Sequence, residues 1–154
     1  MNDCSIRRTR RSGPGGQHRN KVETAVILCH QPTGTEAEAN ERRSQAENKR
    51  VALIRLRLSL AIQVRSPEPA DSPSICWSQR TKNGKIAISA THGEFPALLA
   101  EALDQIVALE FEIPAAAKSL AVTTSQLIRM LKKHMPAFEF VNRERTKLDK
   151  HRLK

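Results

Sequence analysis

The spacing of apolar positions changes along this 154-residue chain, first strand-like and then helical. "CSIRRTRR" (4–11) alternates, with Cys4 and Ile6 on one side, and predicts a short strand whose cations face outward. "AVILCH" (25–30) is an apolar, β-branched run and predicts a buried strand. "QPTG" (31–34) has turn chemistry. "TEAEAN" (35–40) sets Ala37 and Ala39 against Glu36 and Glu38, a second hairpin strand of low β-propensity. From 41 to 61 no Gly or Pro occurs and the period becomes helical. Val51, Ile54, Leu58 and Ala61 form one stripe, and Leu53, Leu56 and Leu60 a second.

Three prolines within residues 65–74 predict a linker. Asn83-Gly84, between Ile75/Trp77 and Ile86/Ile88, predicts a β-hairpin. Pro96 opens a helix with Leu98, Leu99, Ala102, Leu103, Ile106 and Val107 on its apolar face. In 113–134, Pro114 can start a helix, and Ala117, Leu120 and Val122 precede Thr123, a good N-cap. Leu127, Ile128 and Leu131 continue the stripe. This is helix-turn-helix spacing, with Ala121 where the turn often has Gly. Nucleic-acid contact by residues 123–134 and plain packing both fit. The expected class is α+β: a short antiparallel sheet with one long helix over 1–64, a linker and hairpin over 65–92, and a helical region with a basic tail over 93–154.

Composition adds a partner class. Lys and Arg number 26 against 16 Asp and Glu, a formal net charge of +10. Residues 1–65 carry 13 Lys/Arg against 6 Asp/Glu, 66–128 carry 4 against 7, and 129–154 carry 9 against 3. Two basic regions flanking an acidic middle favour a polyanion, bound with counterion release. On the long helix, Arg43, Arg50 and Arg57 are seven apart, and Arg42 and Lys49 form a second such pair. The polar first half, with Arg42, Arg43, Lys49 and Arg50, is the better candidate for RNA contact. Arg50 and its seven-spaced partners also suit snorkelling over apolar surface. The tail cations Arg143, Arg145, Lys147, Lys150, Arg152 and Lys154 suit either a solvated tail or phosphate contact. Three widely spaced cysteines without a CxxC pair argue against a disulfide framework and fit a reducing compartment. Cys29-His30 with Cys4 reads more simply as strand residues than as metal ligands, so no metal is expected. No apolar run reaches membrane-spanning length, and with twelve residues before the first glycine no cleavable leader is expected unless one was removed.

The remaining feature is "RRSGPGGQHRNK" (10–21), which holds three of the six glycines. Gly13, Gly15 and Gly16 allow positive φ and close approach of backbone to a ligand, and Pro14 stiffens the loop. It lacks the GxxxxGK[ST] and GxGxxG spacings of phosphate cradles. What is left is Gly-Gly-Gln with an amide at its tip, among Arg10, Arg11, His18, Arg19, Asn20 and Lys21.

"SGPGGQHRNKVETAV" (12–26) resembles the GGQ signature of the class I peptide chain release factor family, including Asn20 and the Thr24-Ala25-Val26 exit. "PTGT" and "ERRSQAENKRVALIRLRL" resemble the hairpin turn and long helix that follow it there. The likeness covers about residues 4–61. Two positions depart: Arg11 replaces a usually small residue, and Arg19 a usually aliphatic one. The resemblance implies a ribosome-dependent peptidyl-tRNA hydrolase of the short, rescue type, without a codon-reading domain. Gly15, Gly16 and Gln17 would be catalytic, and Gln17 would also be the N-methylation site of a glutamine methyltransferase. The implied partners are ribosomal RNA and P-site peptidyl-tRNA. No cofactor is implied, and a cytoplasmic monomer is expected. A non-catalytic ribosome-binding module and a helix-turn-helix nucleic-acid binder are the alternatives.

Overall fold

The computed structural model describes residues 3–9 and 24–154. The chain forms two compact units, Met1–Leu60 and Ala61–Lys154.

In the first unit, β1 (Cys4–Thr9), β2 (Ala25–His30) and β3 (Thr35–Ala39) form an antiparallel sheet in that order. Thr9 pairs with Ala25 and Cys4 with His30; Leu28 pairs with Ala37 and Val26 with Ala39. The β2–β3 turn closes on Gly34, whose φ of +67 favours glycine and whose N–H donates to the His30 carbonyl at 2.8 Å. Alternation in β3 is as expected: Thr35 and Ala39 are buried, Glu36 and Glu38 exposed. Cys4 packs on the core, whereas Ile6 stays exposed on the edge strand.

The helix α1 (Gln45–Gln63) begins four residues later than its uninterrupted sequence suggests. Ser44 supplies the reason. Its Oγ accepts from Glu47 N at 3.3 Å and its carbonyl from Asn48 N at 3.0 Å, so it is the N-cap of a Ser-x-x-Glu start. Arg42 and Arg43 therefore precede the helix. The two expected stripes merge around the line Asn48–Ala52–Leu56, at i, i+4 and i+8, of which only Leu56 belonged to an expected stripe. Ala52 and Leu56 meet Val26, Leu28 and Ala39 in the core, with Val51, Leu53 and Leu60 at its margin. Alanine at 39 and 52 lets helix and sheet approach closely, and each fully buried leucine contributes about 1.5–3 kcal/mol.

In the second unit, α2 (Ile75–Arg80) occupies what the sequence suggests is a hairpin arm. The Ser74 Oγ accepts from Trp77 N at 3.0 Å and starts a helix there. That helix separates Ile75, 79% exposed, from Trp77, fully buried, which a strand would have kept on one face. The hairpin shrinks to β4 (Thr81–Lys82) and β5 (Lys85–Ile86) around Asn83 (φ 51) and Gly84 (φ 73), as a type I′ turn requires.

Then follow α3 (Phe95–Ala108), α4 (Ile113–Ser119), α5 (Thr124–Lys132) and α6 (Met135–Lys147). Three of these open on a proline at the first turn: Pro96, Pro114 and Pro136. The indole N–H of Trp77 donates to the Leu120 carbonyl at 2.8 Å, which satisfies its one polar atom in the core.

Residues 65–74 are not a loose tether; they are strapped along α3. Arg65 pairs with Asp104 at 2.8 Å, Gln105 donates to the Ala70 carbonyl at 2.7 Å, and Ser74 Oγ donates to Glu101 at 2.6 Å. The basic end is likewise held. Helix α6 runs to Lys147, and the residues beyond fold back on it. Asn142, 2% exposed, accepts from Leu153 N at 2.7 Å; Arg145 donates to the His151 and Phe111 carbonyls; Lys150 pairs with Glu112 at 2.6 Å. No helix among the described residues is long and apolar enough to cross a membrane.

Candidate functional site

Gly15, Gly16 and Gln17, with Arg10, Arg11, His18, Arg19, Asn20 and Lys21, lie outside the described residues. What the structure gives is the frame on either side. Thr9 and Ala25 are directly paired neighbours, so the glycine-rich segment departs from and returns to adjacent strands about 5 Å apart.

One buried side chain fixes the return. Asn48 is fully buried. Its Nδ2 donates to the Thr24 carbonyl at 2.7 Å and to the Arg42 carbonyl at 3.0 Å, and its Oδ1 accepts from Arg42 N at 2.9 Å. A buried amide with both kinds of polar atom used is tightly specified, because losing any partner leaves a desolvated group. Asn48 thus ties together the exit of the glycine segment, the residues before α1 and the first turn of α1. The sequence carried a signal for it: a polar residue in line with Ala52 and Leu56 on a helix that buries that line.

The same three bonds place cations beside the exit. Arg42 is joined to Thr24 through a single side chain, and Lys49 follows Asn48 on the helix. Arg42, Arg43, Lys49 and Arg50 are all exposed, and among the described residues none has a salt bridge. Arg55, one turn further on, is engaged instead with Glu41 and with the Glu38 carbonyl at 2.6 Å. Backbone N–H donation, assisted by Arg55, holds the Glu41 carboxyl below the usual carboxylate range. The cluster of open cations therefore sits at the loop end of α1.

Cys4 and His30 are cross-strand partners, but His30 Nδ1 is hydrogen-bonded to Thr33 at 2.8 Å. Among the described residues no group of three His, Cys, Asp or Glu could hold a metal ion. The six tail cations fall in three sets: Arg145 and Lys150 are built into the fold, while Arg143 and Lys147 lie against Glu144. Arg152 and Lys154 are exposed.

The family model of the RF-1 domain matches residues 1–90. The chain belongs to the RF-1 domain family. It is 42% identical over 88 residues to the chloroplastic peptide chain release factor PrfB1 of Arabidopsis thaliana, a match covering 53% of this chain and 19% of that protein. It is 50% identical over 54 residues to peptide chain release factor 1 of Ruthia magnifica subsp. Calyptogena magnifica, covering 35% and 15%. Peptide chain release factor 1 of Xylella fastidiosa is 42% identical over 66 residues, covering 43% and 18%. The matched stretches span less than a fifth of these relatives' own length. The RF-1 domain match takes in the glycine-rich segment, the three-stranded sheet and α1, and so contains the Asn48 frame.

Proposed function

We propose that this protein hydrolyses the ester between a nascent peptide and the terminal ribose of P-site tRNA on the ribosome, without reading a stop codon. The observation that carries this reading is the Gly15-Gly16-Gln17 sequence within an RF-1 domain, placed between two paired strands whose return is pinned by Asn48.

In this reading water attacks the ester carbonyl, its C–O bond to ribose breaks, and the departing ribose oxygen takes up a proton. Negative charge develops on the carbonyl oxygen in the transition state. The backbone N–H of Gln17 donates to that oxygen; one such preorganised donor is worth about 2.7–4 kcal/mol, or 10²–10³ in rate. Gly15 and Gly16 leave room for the tRNA end, and the Gln17 side chain orients the water. Gln17 is also the substrate of a glutamine methyltransferase. His18 serves RNA contact rather than base catalysis, because the sequence offers no Ser or Cys partner beside it. Arg10, Arg11, Arg19, Asn20 and Lys21, with the open cations Arg42, Arg43, Lys49 and Arg50, hold the domain against ribosomal RNA by phosphate contact. No cofactor takes part. The ribosome completes the site, so the protein alone is a poor esterase.

The test is peptide release from ribosomes stalled on truncated mRNA, with intact mRNA lacking a stop codon as comparison. Wild-type protein releases peptide, while Gly16→Val and Gln17→Pro abolish release and still bind. Release at the wild-type rate in both variants overturns the assignment. Binding without release by the wild type makes the domain a ribosome-binding module instead.

A further inference from the structure

The second unit carries a helix pair that the hydrolysis reading leaves unused. Between α4 and α5, Ala121 adopts φ 53 and Thr123 caps α5, its Oγ1 accepting from Gln126 N at 3.3 Å. Helix α5 buries Leu127, Met130 and Leu131. Its opposite side presents Ser125, Arg129 and Lys132, at i, i+4 and i+7, all exposed. The β4–β5 hairpin sits on the first turn of this helix. Thr123 N donates to the Gly84 carbonyl at 3.0 Å, and Ile86 N to Gln126 Oε1 at 3.4 Å. Its two strands bring exposed Lys82 and Lys85 to the same end of α5.

Charge sets this face apart from the rest of the unit. Four cations elsewhere in the unit have acids beside them: Arg65 has Asp104, Arg80 has Glu94, Lys147 has Glu144 and Lys150 has Glu112. From Ile113 to Phe138 the sequence contains no Asp or Glu at all, and neither does the hairpin from Thr81 to Ile86. Lys82, Lys85 and Arg129 have no salt bridge among the described residues, and Lys132 lies over the Phe138 ring at 5.6 Å. An acid-free helix pair with a basic hairpin at its shoulder is complementary to a regular polyanion.

We propose that this face, formed by Lys82, Lys85, Ser125, Arg129 and Lys132, binds the phosphate backbone of double-helical RNA. Base reading is not its task. The amide best suited to an adenine edge, Gln126, accepts from Ile86 N, and the exposed positions are cations and one hydroxyl. Backbone contact flanking a shallow minor groove is how A-form helices are held. The choice of RNA over DNA rests on membership of the RF-1 domain family; the face itself rests on geometry and charge and does not require hydrolysis.

The experiment uses the full-length protein and a fluorescent RNA duplex of about 20 base pairs, with DNA of the same sequence as competitor. Anisotropy titrations at several salt concentrations compare three double variants: Arg129→Gln/Lys132→Gln, Lys82→Gln/Lys85→Gln, and, as a control, the exposed strand pair Arg7→Gln/Arg8→Gln. Each of the first two loses about tenfold in affinity at low salt, and the slope of log K against log salt falls by about 1.8, two phosphates' worth. The control changes affinity less than twofold. Circular dichroism and melting confirm that all remain folded, and the two test pairs lie on different elements, so misfolding of one leaves the other. Unchanged affinity and slope in both test pairs overturn the proposal. So does an equal loss in the control, which marks a general charge effect, or stronger competition by DNA than by unlabelled RNA. Peptide release is not read, so failure of the hydrolysis assignment leaves this result standing.

Discussion

The side-chain amide of Asn48 reaches across 24 residues of chain to donate to the Thr24 carbonyl at 2.7 Å. Helix α1 thereby holds the return of the glycine-rich segment directly, not only through the sheet. Asn48→Leu strands the Thr24 carbonyl and both Arg42 backbone groups in a dry site and costs about 2–4 kcal/mol of stability in the first unit. Asn48→Asp is the sharper variant. It still accepts from Arg42 N but turns lone pairs toward the two carbonyls it formerly served. Single-turnover release at saturating protein should fall at least tenfold while ribosome affinity changes little. Wild-type release by a folded Asn48→Asp protein would reduce Asn48 to a fold residue.

Ala121 gives the opposite kind of prediction. It holds a left-handed backbone (φ 53) at the turn between α4 and α5, is exposed, and has a Cβ that strains that conformation. Ala121→Gly relieves the strain and pays back part of it in unfolded-chain entropy, for a net gain of about 0.5–1 kcal/mol. Urea denaturation reads the gain as a higher midpoint at unchanged slope; a lower midpoint contradicts it.

Where local chemistry and burial agree, the sequence was legible. The apolar run at 25–30, the alternation at 35–39, Gly34, Pro96, Pro114 and the Thr123 cap all stand where their chemistry puts them. It misled where a short-range hydrogen bond competes with a longer pattern. Ser44 restarts α1 inside an uninterrupted helical stretch, and Ser74 turns a strand-like Ile75-Cys76-Trp77 into a helix. Composition misled twice more. Prolines suggested a tether at 65–74, and cations a solvated tail at 142–154, yet both segments are fastened by bonds to residues distant in sequence. Gly15, Gly16 and Gln17 were legible only as a motif. Asn48 was visible only as an odd polar member of an apolar line, and its partners 24 and 6 residues away had no local signature.

The fastening of the C-terminus predicts what shortening it does. Deleting 149–154 leaves the Asn142 amide without Leu153, the Arg145 guanidinium without the His151 carbonyl, and Glu112 without Lys150. The corner they brace contains Glu110 (φ 49) and Phe111 (φ 60), both in left-handed backbone that needs support. The truncated protein should lose about 2–4 kcal/mol from the second unit. Weaker ribosome binding by that deletion would then reflect folding. Arg152→Gln/Lys154→Gln removes charge without touching these bonds, and melting temperature should separate the two effects.

His134 makes the stability of the second unit depend on pH near neutrality. It is the cap residue of α6 and partly buried, and burial lowers its imidazole from the ordinary 6.5. Below that value the unfolded chain binds a proton that the folded chain resists, so stability is full above about pH 6.5 and declines as pH falls. A second decline belongs to the carboxylates. Hydrogen bonds from Arg80, Lys150 and Lys147 lower Glu94, Glu112 and Glu144 from 4.5, and the stability they contribute is lost only below that value, as pH falls through their folded range. Melting temperature between pH 7.5 and 5 should therefore drop in wild type and drop less in His134→Gln, which keeps a polar side chain with no proton to gain. Below pH 4.5 the two proteins should lose stability in parallel. A pH 7.5-to-5 profile identical in both would show that His134 is not the titrating group.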